Sequence, residues 1–144
     1  MNFKKYYAVI DTNVLVSSFL KHDSKPGKVI DMIYTSDLVP VYNNEILREY
    51  NNVLKREKFG FNGEEIDAIL GVIHTFGINV DEPVIKYTLP DPDDAVFYEV
   101  TMEARKTNDT YLVTGNSKHF PVRTFVVTPA EFMDIVEKDG TPST

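Results

Sequence analysis

Three aspartates, Asp91, Asp93 and Asp94, stand within four residues, directly before the apolar helical pattern that begins at Ala95. Carboxylates this close resist joint ionisation, and each raises the pKa of the others unless a cation or hydrogen-bond donors compensate. One interpretation is a helix start, with Asp91 as the N-cap and Pro92 in the first turn. The other is half of a divalent-metal site that binds Mg²⁺ or Mn²⁺. The choice depends on whether other acids reach the same place.

Two further acids occupy positions from which they could do so. Asp11 ends the short apolar run 6–10, which reads as a buried parallel strand, and open α/β sheets bind ligands at the carboxyl ends of their strands. Asp11 could also cap the helix that follows, and the two roles are compatible. Glu49 lies beside the apolar stripe of a helix that begins at Asn43 or Asn44. A solvated surface role is the alternative for Glu49.

Helices alternate with short apolar strands along the chain, which predicts an α/β layered fold with a largely parallel central sheet flanked by helices. Besides 6–10, the predicted strands are 38–42, 111–114 and 125–127, with a weaker candidate at 78–80 or 84–87. The carboxyl ends of parallel strands lie along one edge of a sheet. We therefore expect Asp11, Asp94 and Asn116 to converge there.

Two helices carry further predictions. Thr128 and Glu131 form a capping box around Pro129, which predicts the start of the last helix. Glu99 and Glu103 are one helical turn apart after the acidic stretch and read as a solvated face.

The 144 residues are enough for one domain with a sizeable core, which we expect to span 1–138 before a frayed tail at 139–144. The absence of cysteine excludes disulfides and thiolate zinc sites. We find no apolar run of membrane-spanning length and no signal peptide, so we expect a cytoplasmic protein that does not associate with membranes. The net charge of −7 argues against broad phosphate binding. Because a metal would offset the clustered acids, a nucleic-acid substrate is not excluded.

Hard oxygen ligands suit Mg²⁺ or Mn²⁺ better than Zn²⁺, and the three histidines show no paired ligand spacing. Such ions suit phosphoryl chemistry, in which a metal-activated water attacks in line. A P-loop is absent, and so is a G-x-S-x-G nucleophile motif. Asn13 stands where an aspartyl-phosphate hydrolase would have its second acid, which disfavours a covalent route.

Four segments, 9–17, 45–50, 91–98 and 112–116, resemble in order the motifs of PIN-domain ribonucleases, and in particular the toxins of bacterial type II toxin–antitoxin modules. The resemblance runs from about Tyr7 to Val136. It implies a Rossmann-like PIN fold and a metal-dependent endoribonuclease that hydrolyses RNA phosphodiester bonds with one or two Mg²⁺ or Mn²⁺ ions. It also implies a small antitoxin partner and a homodimer.

By position, the resemblance assigns metal binding and catalysis to Asp11, Glu49 and Asp94, with Asn116 where many members have aspartate. Asn is a neutral ligand that holds Mg²⁺ more weakly, so this departure puts a second metal in doubt. The auxiliary or outer-shell candidates are Asn13, Asp91, Asp93, Thr114 and Ser117, and the substrate-binding candidates are Arg48, Lys118 and His119.

RNA contacts would come from basic and aromatic side chains. The aromatic candidates are Tyr42, Tyr50 and Tyr98, of which Tyr50 fits the core better. The densest basic groups are Lys21, Lys25, Lys28, Arg48, Lys55, Arg56 and Lys58. The alternative function is a catalytically weak or inactive PIN-like module that binds RNA or a protein partner, its acids only capping helices.

Overall fold

One parallel sheet forms the centre of the molecule, and its strands are β1 (Tyr6–Ile10), β2 (Leu38–Tyr42), β3 (Ile78–Asn79), β4 (Thr110–Val113) and β5 (Val126–Val127). The computed structural model describes residues 4–81 and 85–140. The order of the strands across the sheet is β3-β2-β1-β4-β5, and every neighbouring pair is parallel. The predicted α/β class with a parallel central sheet is confirmed.

Helices flank the sheet, and in the described residues they are α1 (Thr12–Leu20), α2 (Lys25–Tyr34), α3 (Asn44–Leu54), α4 (Gly63–Phe76), α5 (Pro92–Ala104), a short 3₁₀ helix (Ser117–His119) and α6 (Pro129–Gly140). Capping chemistry sets several of their starts. The Asn43 side chain accepts a hydrogen bond from the backbone N–H of Ile46 at 2.8 Å. Thr128 and Glu131 exchange side-chain-to-backbone bonds, as the predicted capping box requires. None of these helices is both long and apolar enough to cross a membrane.

The strand order places a topological switch point between β1 and β4, because the chain leaves β1 toward β2 on one side and later returns through β4 on the other. Open α/β sheets bind ligands in the crevice at such a point. Ala8, Val9 and Ile10 of β1 are almost fully buried, so the strand that ends at Asp11 is held rigidly in the core. The backbone N–H of Asp11 bonds to the carbonyl of Val113 at 2.9 Å, which continues the pairing past the strand end.

The weak third strand falls at Ile78–Asn79, within the first of its two predicted positions. The other candidate, 84–87, lies partly outside the described residues, because Val84 is not described. At the C-terminus α6 continues to Gly140 and so includes the first two residues of the predicted frayed tail. The Asp139 carboxylate accepts hydrogen bonds from Lys4 and from the Tyr6 hydroxyl. The remaining predicted tail residues, 141–144, lie outside the described residues.

The prediction of a solvated Glu99 is wrong. Its side chain is only 7% exposed, accepts a hydrogen bond from the backbone N–H of Tyr87 at 2.9 Å and lies 3.6 Å from the Lys86 ammonium. Helical spacing could not reveal this, because the partner is the segment that precedes α5 rather than α5 itself. Glu99 therefore fastens the chain that leads into the acidic stretch.

We expect Glu99→Ala to lower the free energy of unfolding by about 1–3 kcal/mol, because it leaves the Tyr87 N–H without its acceptor. Glu103→Ala is the matched control, since Glu103 pairs with Lys106 in the turn that follows α5, and exposed pairs of this kind contribute little. Urea unfolding of the two variants measures the difference. Equal midpoints would show that the Glu99 contact does not hold the segment.

Candidate functional site

A pocket of about 390 Å³ opens beside the carboxyl end of β1, and three acids predicted from separate stretches of the chain line it together. Asp11 comes from the end of β1, Glu49 from α3 and Asp94 from the first turn of α5. The complete lining is Asp11, Thr12, Asn13, Val16, Ser17, Glu49, Val53, Asp91, Asp93 and Asp94. The topology therefore brings these acids to one place.

Asp11 occupies the N-cap position of α1, yet its side chain makes no capping bond. Its Oδ2 instead accepts hydrogen bonds from Thr114 Oγ1 at 2.7 Å and from Asn13 Nδ2 at 3.2 Å. The residue is only 6% exposed. Asn13 also accepts a bond from the Gly115 N–H at 3.1 Å, so it ties Asp11 to the loop after β4. The Asp11 carboxylate is thus fixed at the pocket wall rather than used to start the helix.

Glu49 is oriented by a residue that the sequence did not single out. Thr12 Oγ1 donates to Glu49 Oε2 at 2.5 Å, across the junction of α1 and α3. The next residue, Tyr50, is buried as predicted, and its hydroxyl donates to the carbonyl of Ile10 at 2.5 Å. The sequence feature that could have indicated Thr12 is a hydroxyl side chain directly after Asp11. Its partner could not be inferred without the crossing of the two helices.

Asp94 supplies an unsatisfied atom. Its Oδ2 is buried and has no hydrogen-bond partner among the described residues. Nδ1 of His119 lies 3.5 Å from this oxygen, and the two form an ion pair when the imidazole is protonated. Asp91 caps α5 by accepting from the Asp93 N–H at 3.0 Å, as the helix-start interpretation predicts. A buried oxygen without a partner is costly, and it marks a position where a ligand would be stabilised.

The pocket also perturbs the acids electrostatically. Burial raises the pKa of Asp11 to about 6, and the charges of Asp94 and Glu49 add to this, while the Thr114 bond opposes it. Burial likewise raises the pKa values of Glu49 and Asp94, with contributions from Asp93 to both. Arg56 opposes the shift at Glu49, and His119 opposes it at Asp94. The acids repel one another, which is the condition that a bound cation relieves.

The donor set fits a hard divalent cation, because it consists of carboxylate oxygens and includes an unpartnered one. In residues 4–81 and 85–140, however, no three acidic, histidine or cysteine side chains already converge as a metal-ligand set. Asp11, Glu49 and Asp94 therefore have the right ligand chemistry for the cation and line the same pocket. To bind one ion, their side chains must move closer to one another.

A protein-family model, the PIN domain, matches residues 7–118, a span that includes the whole pocket lining. The chain belongs to the PIN-domain family. PIN domains are generally nucleases that use divalent metal ions. Comparisons with curated proteins and with solved structures gave no match. The predicted family and PIN fold are confirmed.

Other predicted positions of the PIN domain lie away from the pocket lining. Asn116 is exposed, and its backbone N–H donates to Thr114 Oγ1 at 3.0 Å. Ser117 and Lys118 follow it in the 3₁₀ helix and do not line the pocket. Arg48 lines a separate depression with Asn44, Leu47, Asn51 and Leu70, and none of the three acids lines it. His119 is half exposed, and its Nδ1 lies 3.5 Å from Asp94 Oδ2.

The tyrosines considered for RNA stacking are all buried. Tyr42, Tyr50 and Tyr98 are at most 3% exposed, and the Tyr42 hydroxyl bonds to the carbonyl of His74. Their apolar environment in the strands and helices explains the burial. Any stacking of RNA bases on this PIN domain must use other aromatic side chains.

Proposed function

We propose that this PIN domain is a metal-dependent endoribonuclease that hydrolyses RNA phosphodiester bonds with a single Mg²⁺ or Mn²⁺ ion. The observation that carries the proposal is the meeting of Asp11, Glu49 and Asp94, from three separate stretches of chain, in one pocket at the sheet's switch point. Membership of a nuclease family supports it. We propose one ion rather than two because Asn116, the neutral fourth candidate, does not line the pocket.

Asp11, Glu49 and Asp94 would hold the cation. When bound, such an ion neutralises phosphate charge and lowers the pKa of a coordinated water. The other residues act on these acids. Thr114 and Asn13 fix Asp11 through their hydrogen bonds to Oδ2, and Thr12 fixes Glu49 through Oε2.

His119 contacts Asp94, although it is not part of the pocket lining. Its ring is half exposed, so in the protonated form it can reach both Asp94 and a phosphate at the pocket mouth. We propose a substrate contact for it on this ground.

The biological setting that we propose comes from the resemblance to toxin components. In that setting the enzyme is a cytoplasmic homodimer that a small antitoxin protein holds inactive. Co-expression with the product of an adjacent small reading frame tests this setting. Relief of growth arrest and co-purification are the expected results, and growth that is unaffected by the enzyme alone would contradict the toxin role.

Cleavage of a labelled single-stranded RNA tests the chemistry. We expect cleavage with Mn²⁺, none with excess chelator, and a loss of about 100-fold in rate for Asp94→Asn, which retains the side-chain shape but weakens the cation site. Asp134→Asn is the matched control, because Asp134 is exposed on α6 and lies outside the pocket lining.

Cleavage that survives both chelation and Asp94→Asn would remove the proposal. A folded protein that binds RNA but never cleaves it would favour the second candidate, a PIN-like binding module. The observation that favours the binding module is that no set of metal ligands already converges among the described residues.

A further inference from the structure

Three phenylalanine rings are in sequential contact between α1 and the loop that joins α3 to α4, the inner pair tilted by 38° and the outer pair parallel, and we call this group the stack. The Phe19 ring lies 5.0 Å from that of Phe61, and Phe61 stacks on Phe59 at 4.9 Å with an interplanar angle of 2°. Gly60 separates Phe59 from Phe61 in the sequence and has a φ of 62°, a conformation that glycine adopts without strain. The loop thus places two aromatic faces in parallel.

Only the inner part of this stack belongs to the hydrophobic core. Phe19 and Phe61 pack against the core, whereas Phe59 is not among the described side chains that do so. Phe59 is partly exposed at the outer end of the stack, with the Lys58 ammonium 5.2 Å from its ring centre. Core packing therefore does not account for a flat aromatic ring at this position.

The same loop carries unpaired positive charge in a chain of net charge −7. Lys55 pairs with Asp67 at 3.1 Å, but Arg56 and Lys58 form no ion pair within the described residues. Glu57 is the one acid between them, so the local balance remains positive. A cationic aromatic surface of this kind is complementary to a nucleic acid and not to a basic or neutral partner.

The stack is close to the acidic pocket. Val16 and Val53 line the pocket, and Arg56 follows Val53 by one turn. The charge of Arg56 opposes the rise that burial causes in the pKa of Glu49. Thr12, at the pocket, and Phe19, the inner ring of the stack, are about 10 Å apart along α1 at about 1.5 Å per residue. The Phe59 ring is two ring contacts farther out, of 5.0 Å and 4.9 Å. A strand with one phosphate at the acids can therefore reach the stack.

We propose that Phe59, with Arg56 and Lys58, forms a binding platform for single-stranded RNA, on which a base near the scissile phosphate stacks. The proposal rests on the proposed nuclease function and names the form of its substrate. Base stacking needs an unpaired base with a free face, so the platform selects single strands over duplexes. Tyr42, Tyr50 and Tyr98 are buried, so the aromatic face comes from Phe59. One face of the Phe59 ring stacks on Phe61, and the ammonium of the exposed Lys58 lies over the ring, so a base stacks there when the Lys58 side chain moves from the ring to a phosphate.

Fluorescence anisotropy tests the platform in excess chelator, which separates binding from cleavage. The probes are a fluorescein-labelled oligoribonucleotide of mixed, non-self-complementary sequence and the duplex that it forms with its complement. We expect the wild type to prefer the single strand. Phe59→Leu retains an apolar side chain but removes the π face, and we expect it to weaken single-strand binding about tenfold.

Matched variants separate stacking and charge from stability. Phe59→Tyr retains the ring and should bind as the wild type does, and Phe76→Ala, which removes an exposed ring elsewhere, should change nothing. Arg56→Gln and Lys58→Gln should each flatten the plot of log affinity against log salt by about 0.7. Lys138→Gln, on the exposed end of α6, should leave that slope unchanged.

The outcomes for the platform and for the nuclease are distinguishable. Loss of binding in Phe59→Leu without cleavage by any form would support the platform and refute the nuclease. Metal-dependent cleavage with unchanged binding in Phe59→Leu would refute the platform alone. Equal affinity of the wild type for duplex and single strand would also refute the platform, and so would an unchanged salt slope in both charge variants. Either result would favour a protein as the partner that binds this loop.

Discussion

Asp11→Asn is expected to reduce RNA cleavage by about 1000-fold and, in the same protein, to raise the stability of the metal-free fold at neutral pH. The first effect follows from the position of Asp11 as the most buried of the three acids, held from two sides at the pocket wall. Loss of an ion that stabilises developing charge costs several kcal/mol, and about 1.4 kcal/mol corresponds to each tenfold in rate.

The second effect follows from the pKa of about 6 that the folded protein gives to Asp11, against an ordinary value of 3.8. A carboxyl group with a raised pKa binds more protons in the folded state than in the unfolded state, so stability falls as pH rises from the ordinary value to the folded one. The penalty is complete above about pH 6 and amounts to about 3 kcal/mol. Asn carries no charge, and its carbonyl oxygen can still accept from Thr114.

Urea unfolding of wild type and Asp11→Asn in chelator, from pH 4 to pH 8, measures the difference. We expect nearly equal stabilities at the acidic end and a gain of up to about 3 kcal/mol for the variant at pH 7. Added Mn²⁺ should stabilise the wild type and not the variant, because only the wild type retains the charged ligand. A variant that is less stable than the wild type at pH 7 would show that Asp11 is not under electrostatic strain.

The meeting of the acids was predictable because it is a consequence of topology. Asp11 follows the first strand, and ligands bind at the carboxyl ends of parallel strands, so a place in the site is expected for it. Asp94 begins a helix near the same edge of the sheet, so the same expectation applies to Asp94. The two interpretations of the acidic stretch are compatible in the structure, since Asp91 caps α5 while Asp94, whose buried Oδ2 has no hydrogen-bond partner among the described residues, lines the pocket. One short sequence serves as a helix start and as part of a candidate site.

What sequence could not supply depends on contacts between distant segments. The one-turn spacing of Glu99 and Glu103 predicts a solvated face, yet the partner of Glu99 lies in the segment before α5. Thr12 meets Glu49 only because α1 crosses α3. Phe59 and Phe61 have no periodicity that marks a platform, and their stacking depends on a glycine turn. Such contacts are set by tertiary packing, which local patterns do not encode.

Tyr50 links that tertiary packing to the site, and its substitution is expected to have the largest destabilising effect. The Tyr50 side chain is 1% exposed, and its hydroxyl donates to the carbonyl of Ile10. Ile10 directly precedes Asp11, and Tyr50 directly follows Glu49, so this bond joins the segments that carry the two acids. We expect Tyr50→Ala to lower the free energy of unfolding by about 3–5 kcal/mol, because it opens a cavity in the core. Each 1 kcal/mol corresponds to about 4 °C in the melting temperature of a domain this size.

Tyr50→Phe separates the hydroxyl from the ring. It retains the packing against Phe97 but leaves the Ile10 carbonyl without this donor, so we expect a loss of about 1–2 kcal/mol and a drop of about tenfold in cleavage rate. Tyr7→Phe, on the same strand as Ile10, is the control, since its hydroxyl forms no hydrogen bond within the described residues. The Tyr50 hydroxyl bond joins the two segments that carry Asp11 and Glu49. A variant that melts at a lower temperature but cleaves at the wild-type rate would show that the two acids keep their spacing without this bond. The orientation of Glu49 would then depend on Thr12 alone.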